Sequence, residues 1–241
     1  MWSLGDYSLI APLLEPCARS LAELCELRPG VDVLDVAAGD GNFALAAARL
    51  GANVTASDFS PRMVELGRAR TATEGLTVEW AGADAEDLGF PDGSFDVVAS
   101  VFGAMFSPRP ELVAREMFRV CREGGTVAMA NYSWDGFLGD YAKLLARYSN
   151  PAPSSLPSPF EWGDPAVVEH RFAGLCSSLD TRTATLDFRA GMDLWEETNG
   201  PTLALRQMLP PDRYTQFREE AVALMDGRDL RSSYLVVLSR P

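Results

Sequence analysis

Val33-Leu34-Asp35-Val36-Ala37-Ala38-Gly39-Asp40-Gly41-Asn42, followed by an Ala/Leu-rich run, reads as a buried parallel strand that ends in a tight glycine turn and launches a helix. Backbone N–H groups at such a turn, together with the positive end of the helix behind it, hold polar or anionic parts of a nucleotide-like ligand. Asp35 is an acid in the middle of an otherwise apolar strand, which a plain core strand does not favour. The same residues, Gly39-Asp40-Gly41-Asn42-Phe43-Ala44, also fit the dinucleotide fingerprint, with Asp58 ending the next strand to hold a ribose. A cofactor site follows from either reading, and the rest of the chain separates them.

Composition narrows the partners. With 241 residues the chain suits one α/β domain, 1–241, carrying a small cap. The net charge of −13 argues against nucleic-acid partners, and because Lys143 is the only lysine there is no lysine-rich patch. The start, Met1 to Tyr7, lacks the charge and apolar run of a signal peptide. No apolar stretch reaches the ~20 residues of a membrane span, so a cytoplasmic protein without membrane contact is expected. Cys17, Cys25, Cys121 and Cys176 show no metal spacing and His170 is the only histidine, so no metal site is predicted.

Along the chain, strands are predicted at 31–36, 52–57, 77–81, 94–101 and 124–131, with helices at 41–50, 60–73 and 109–122 between them. Ser60-Pro61 has the form of an N-cap followed by proline at the first helical position. Short apolar strands alternating with helices give a doubly wound, mostly parallel sheet covered on both faces. An amphipathic helix precedes it at 8–27. A helix at 134–149, a proline-rich loop at 150–159 and a helix near 164–173 follow it. Residues 179–188 alternate as a strand, helical patterns fill much of 191–226, and 234–238 is a final strand. Residues 1–27, 133–173 and 190–227 are assigned to a cap over the carboxyl ends of the strands, where open α/β sheets bind ligands.

Two features weigh against a dinucleotide: the acid at Asp35, and a further acidic site, Gly82-Ala83-Asp84-Ala85-Glu86, after the third strand. With VLDVAAGDGN, VTASDFSPRMVELGRAR, VEWAGADAEDLGFPDGSFDVV and RVCREGGTVAMAN in that order, the chain resembles the class I S-adenosylmethionine-dependent methyltransferases. Within them it is most similar to bacterial small-molecule enzymes of methyltransferase type 11, the ubiquinone/menaquinone-biosynthesis-like kind. The resemblance covers about 30–135 and implies a seven-stranded sheet of order 3-2-1-4-5-7-6, its last strand antiparallel. It implies S-adenosyl-L-methionine as cofactor and S-adenosyl-L-homocysteine as product. Ala37, Gly39 and Gly41 would then line the methionine part, Asp35 would bind its ammonium, and Tyr7 would close over its carboxylate. Asp58 would accept from the ribose hydroxyls and Phe59 and Met63 would flank adenine. Asp84 would meet the adenine amine, Ala85 N–H a ring nitrogen, and Ser100 would sit beneath the sulfonium. Where the family often has glycine this chain has Ala37, which is tolerable at negative φ. Each carboxylate also has a bland reading: Asp35 as a turn cap, Asp58 as helix-start chemistry, Asp84 as a solvated loop residue.

Methyl transfer is an in-line displacement, so the protein's task is to align the reactants and exclude water. The segment after the fourth strand, Ser100 to Phe106, is apolar and lacks the Asn/Asp-Pro-Pro-Tyr/Phe signature of nucleic-acid and protein-amide enzymes. A small, mostly apolar metabolite is therefore the expected acceptor, at oxygen, nitrogen or carbon, bounded by Phe102, Met105, Phe106, Trp134, Phe137 and Trp195. A general base is not evident. Tyr132 and Tyr141 are candidates by placement, and His170, among charged cap residues, reads better as a surface histidine. A monomer or homodimer is expected. Use of the bound cofactor for a rearrangement or cyclisation, a non-catalytic binding module, and an NAD-dependent oxidoreductase are the competing readings.

Overall fold

The computed structural model describes residues 9–149, 156–188, 191–227 and 229–241. Seven strands form one sheet: β1 Asp32–Val36, β2 Asn53–Asp58, β3 Glu79–Gly82, β4 Phe95–Val101, β5 Cys121–Gly136, β6 Ser178–Asp187 and β7 Arg231–Arg240. Their order is β3-β2-β1-β4-β5-β7-β6. The first five are parallel, and β7 runs antiparallel to both β5 and β6. The strand order that the family resemblance implies is the order observed.

Nine helices are described: α1 Ala11–Leu24, α2 Asn42–Arg49, α3 Pro61–Thr73, α4 Pro110–Val120, α5 Phe137–Tyr148, α6 Pro165–Phe172, α7 Met192–Thr198, α8 Gly200–Met208 and α9 Pro211–Met225. The central strands are mostly apolar because both faces are covered: Val33, Leu34, Val97, Val98, Val127 and Ala128 are all buried. No helix among the described residues is long and apolar enough to cross a membrane.

Element boundaries shift from the sequence expectation, most at the end of β5. β5 runs to Gly136, past the predicted end at 131, and α5 begins at Phe137 instead of 134. The antiparallel partner β7 extends the strand by pairing Asn131 with Leu235 and Tyr132 with Tyr234, a long-range gain that local periodicity does not show. Ser60 does stand at the N-cap of α3 with Pro61 behind it, but its side chain makes no capping bond. Instead its N–H donates to Asp58 Oδ1 at 2.9 Å.

Trp80 on β3 fixes how α3 and the glycine turn approach the sheet. A Cβ added at Gly67 of α3 would come within 2.0 Å of the Trp80 ring, and one at Gly41 within 2.9 Å. Glycine at 67 thus costs helix propensity but lets the helix lie against the indole. Gly67→Ala should lower stability by about 1–3 kcal/mol through overpacking. Thermal unfolding checks this: a drop of several degrees is expected, and an unchanged midpoint contradicts the wedge.

Candidate active site

The site starts from the turn between β1 and α2. Ala37 has φ +53°, Gly39 +59° and Gly41 +94°, so the chain makes three left-handed steps within five residues. The condition of negative φ at Ala37 is therefore not met. An alanine in this region costs roughly 1–2 kcal/mol relative to ordinary backbone, and it persists because its surroundings hold it. Gly103, just beyond β4, is part of that hold: a Cβ there would meet the Ala37 carbonyl oxygen at 2.1 Å.

Asp35 is 1% exposed, and its Oδ2 accepts from the Ala44 N–H at 2.9 Å. Ala44 lies in the first turn of α2, where N–H groups lack helical partners, and the N-cap residue Gly41 has no side chain to offer. Asp35 reaches from the neighbouring strand and does the capping. Asp58, ending β2, ties the same turn from the other side: Oδ2 accepts from Gly39 N–H at 2.9 Å and Oδ1 from Ser60 N–H.

Sequence reasoning missed a third acid. Asp40 is 6% exposed, with Oδ2 on Arg70 Nη1 at 3.0 Å and Oδ1 buried without a partner. Arg70 also donates to Asn42 Oδ1 at 2.7 Å, and Asn42 Nδ2 donates to the Ala11 carbonyl of α1 at 2.8 Å. That chain of bonds anchors α1 beside the turn. The signal was available, since the middle residue of Gly-Asp-Gly is acidic, but only its burial shows what it faces. Leu14, Asp35, Ala38, Asp40, Asn42, Phe43 and Val101 line a cleft here.

Burial dominates the electrostatics. It pushes Asp35 up to about 8, against the pull of the Ala44 N–H, with the Asp58 and Asp40 charges adding to the rise. Burial also raises Asp40, opposed by Arg70, and Asp58, opposed by the Ser60 and Gly39 N–H groups. Three carboxyl groups crowded around one turn thus favour any cation that enters.

At the second and third strand ends, Phe59 is 62% exposed, whereas Met63 is buried on α3. Asp84 is exposed, and its Oδ1 accepts from Glu86 N–H at 3.0 Å. Ala85 is buried. Glu86 is bound to Arg109 through both the backbone N–H (2.7 Å) and Nε (2.6 Å), which fixes this loop to the start of α4. Ser100 is fully buried, donating to Val36 O at 2.7 Å and accepting from Ala104 N–H at 3.0 Å. It is a clamp between β1 and the 3-10 turn Ala104–Phe106, a role that its hydroxyl explains without a ligand. Tyr7 lies outside the described residues.

The expected acceptor residues form an aromatic layer. Phe102 (φ +58°) stacks on Tyr132 with centroids 4.1 Å apart and planes 8° apart. Tyr132 neighbours Phe160 and Phe188, Phe160 stacks on Trp134, and Phe188 leads to Trp195, Tyr141 and Phe137. Phe102, Met105, Phe137 and Trp195 are buried, Phe106 is half-buried and Trp134 is 40% exposed. The Tyr141 hydroxyl is engaged with Thr202 Oγ1 at 2.7 Å, and burial raises its pKa, so it is an anchor of α5 on α8 and a poor base. His170 is exposed in the last turn of α6.

Comparison with known proteins agrees with this architecture. A sequence profile described as a methyltransferase domain matches residues 34–129. An uncharacterized protein of Mycobacterium tuberculosis is 41% identical over 187 residues, covering 77% of this chain and 68% of the relative. A phosphatidylethanolamine N-methyltransferase of Cereibacter sphaeroides is 37% identical over 154 residues, 62% of this chain and 74% of that enzyme. The crystal structure of the YcgJ protein of Bacillus subtilis superposes with a TM-score of 0.65 at 20% identity, covering 93% of this chain and 98% of that one. With sheet order, glycine turn and relatives in accord, the chain belongs to the class I S-adenosylmethionine-dependent methyltransferases.

Proposed function

We propose that this chain binds S-adenosylmethionine across the carboxyl ends of β1, β2 and β4 and directs its methyl group to a small, mostly apolar metabolite. The observation that carries the reading is the set of buried acids at the turn, above all Asp40 Oδ1, a buried acceptor without a partner. Such an atom costs roughly 1–3 kcal/mol unless a ligand supplies a donor. The cofactor's methionine end brings an ammonium and a sulfonium, which suits an acidic cleft, whereas the pyrophosphate of a dinucleotide would face Asp35 and Asp40. Asp35 and Asp40 would hold the ammonium. Asp58 keeps lone pairs beyond its two backbone bonds and would receive the ribose hydroxyls. Phe59, exposed beside it, would cover the adenine, with Asp84 and Ala85 on its edge.

When bound, the cofactor supplies an electrophilic methyl group. The contribution of the chain is alignment and dryness: Ser100 and Gly103 fix the end of β4 to the turn, and the aromatic layer excludes water. Because Tyr141 is locked to Thr202 and His170 is at the surface, neither is assigned as base, which leaves Tyr132, stacked on Phe102, as the sequence candidate. An acceptor that arrives with its own lone pair, as a neutral amine, or as a phenol or carbon acid that ionises readily, needs no base at all.

Titration with S-adenosylhomocysteine tests the donor site; micromolar binding is expected, and none with the fold intact rejects it. Asp58→Asn should weaken that binding about tenfold or more, the scale of a lost charge-assisted hydrogen bond. Equal affinity would remove Asp58 from the site. The raised Asp35 carboxyl also sets a sign for stability. Its folded pKa of about 8 lies above the ordinary 3.8, so the stability it contributes is full below the unfolded value and is lost as pH rises toward 8. The ligand-free protein should melt higher at pH 5.5 than at pH 8, and Asp35→Asn should flatten the difference. A melting point that climbs over this range, equally in both proteins, speaks against a protonated Asp35.

A further inference from the structure

We propose that the free edge of β6 pairs with the same edge of a second copy of this chain, antiparallel and centred on Thr181, joining the two sheets into one. The contact is independent of the methyl-donor site. β6 is an end strand: among the described residues it pairs with β7 alone, in an unbroken register from Ser178↔Arg240 to Asp187↔Arg231. Proteins usually blunt such an edge with proline, lysine, a bulge or a short strand. The opposite edge, β3, is short at 4 residues. β6 is 10 residues long, SLDTRTATLD, with no proline or lysine and with β-branched Thr181, Thr183 and Thr185. Asp180, Arg182, Thr183 and Thr185 are exposed.

The backbone decides which residues can meet. Phe188 N–H donates to the Leu230 carbonyl at 3.1 Å, one step past the last pair of the ladder. Antiparallel bonds recur at every second residue, so the even-numbered residues of β6 bond to β7. Leu179, Thr181, Thr183 and Thr185 therefore turn their N–H and C=O groups outward. A two-fold axis at this edge pairs residues that share a face, and the residue on the axis meets its own copy. That residue must present its backbone outward. Only Thr181 or Thr183 on the axis keeps more than half of the strand paired.

Charge chooses between them. With Thr181 on the axis, Asp180 stands opposite Arg182 of the second copy, and Arg182 opposite its Asp180. Both are non-hydrogen-bonded positions, where side chains on facing strands come closest. With Thr183 on the axis, Asp180 would oppose Leu186 and Asp187 would oppose Leu179, and no charge pair forms. Within one chain Asp180 and Arg182 already meet at 2.8 Å, 56% and 55% exposed, so the assembled edge would carry four charges alternating in sign. A net charge of −13 opposes self-association, and this local pairing offsets it. β7 is antiparallel to both β5 and β6, so β6 runs with the parallel strands and the second copy runs against them. The two donor clefts then open in opposite directions, and neither is covered.

An edge-strand contact is small beside the ~1,200–2,000 Å² of a standard interface, so the dimer should grow in over about 1–500 μM in sedimentation velocity. Arg182→Asp and Asp180→Arg each set like charges opposite one another, and each alone should stay monomeric with an unchanged melting temperature. An equal mixture of the two restores opposite charges at both positions and should dimerise again, which unfolded variants would not do. Thr181→Cys should form a disulfide-linked dimer on mild oxidation, beyond any given by the wild type, because residues paired at the axis have Cα atoms about 5.5 Å apart. Thr183→Cys should not. A wild-type protein that stays monomeric throughout, leaving the edge to an extended peptide of another protein or to solvent, overturns the proposal. So does a dimer that persists in either single charge variant, a mixture that stays monomeric, or cross-linking through position 183 instead of 181.

Discussion

The bond from the Ala44 N–H to the Asp35 carboxylate is the constraint on which the site depends. It joins the middle of β1 to the first turn of α2, across a loop that must pass through three positive-φ residues. A helix start without a side-chain cap, after a turn of that kind, would fray. The acid inside the strand prevents this and is buried in doing so. Burial raises its pKa, and Asp58 and Asp40 raise it further, so one structural device produces both a rigid turn and a cleft that favours a cation. Structure and function share a residue here. The bland reading of Asp35 as a cap and its proposed contact with the methionine ammonium are compatible, because the cap occupies one oxygen only.

The acceptor side is built differently. Its rings stack in a continuous layer from Phe102 through Tyr132 and Phe188 to Trp195 and Tyr141, joining strand ends to the helices α5 and α7. Rings packed on one another stabilise the cap over the sheet, and the same layer shields the reacting atoms from water. The Tyr141 hydroxyl, paired with Thr202 Oγ1, ties this layer to α8.

Much of this was legible in the sequence because it depends on local pattern. Alternating apolar strands and helices, the glycine turn and Asp58 before Ser60-Pro61 all carry short-range signals, and the sheet order follows from the family that those motifs resemble. What was not legible depends on contacts far along the chain. The extension of β5 to Gly136 comes from β7, about a hundred residues on. The left-handed Ala37 lies against Gly103, where a Cβ would not fit, and Asp40 is paired with Arg70 from α3. The hydroxyl of Ser100, near the end of β4, joins Val36 O to the Ala104 N–H, a clamp between segments far apart in the chain. Of the residues expected to bound the acceptor, Phe102, Met105, Phe137 and Trp195 are buried, and a one-dimensional pattern cannot tell a ring that meets a ligand from one that meets another ring.

The central claim is that the acids of the turn are assembled, partly protonated, to receive a cationic methyl donor. Calorimetry of S-adenosylmethionine binding at pH 7, repeated in buffers of different ionisation enthalpy, measures this directly. The account predicts release of close to one proton as the ligand drives Asp35 to its charged form, and loss of that release in Asp35→Asn. Binding without proton release, or the same release in the variant, would contradict it.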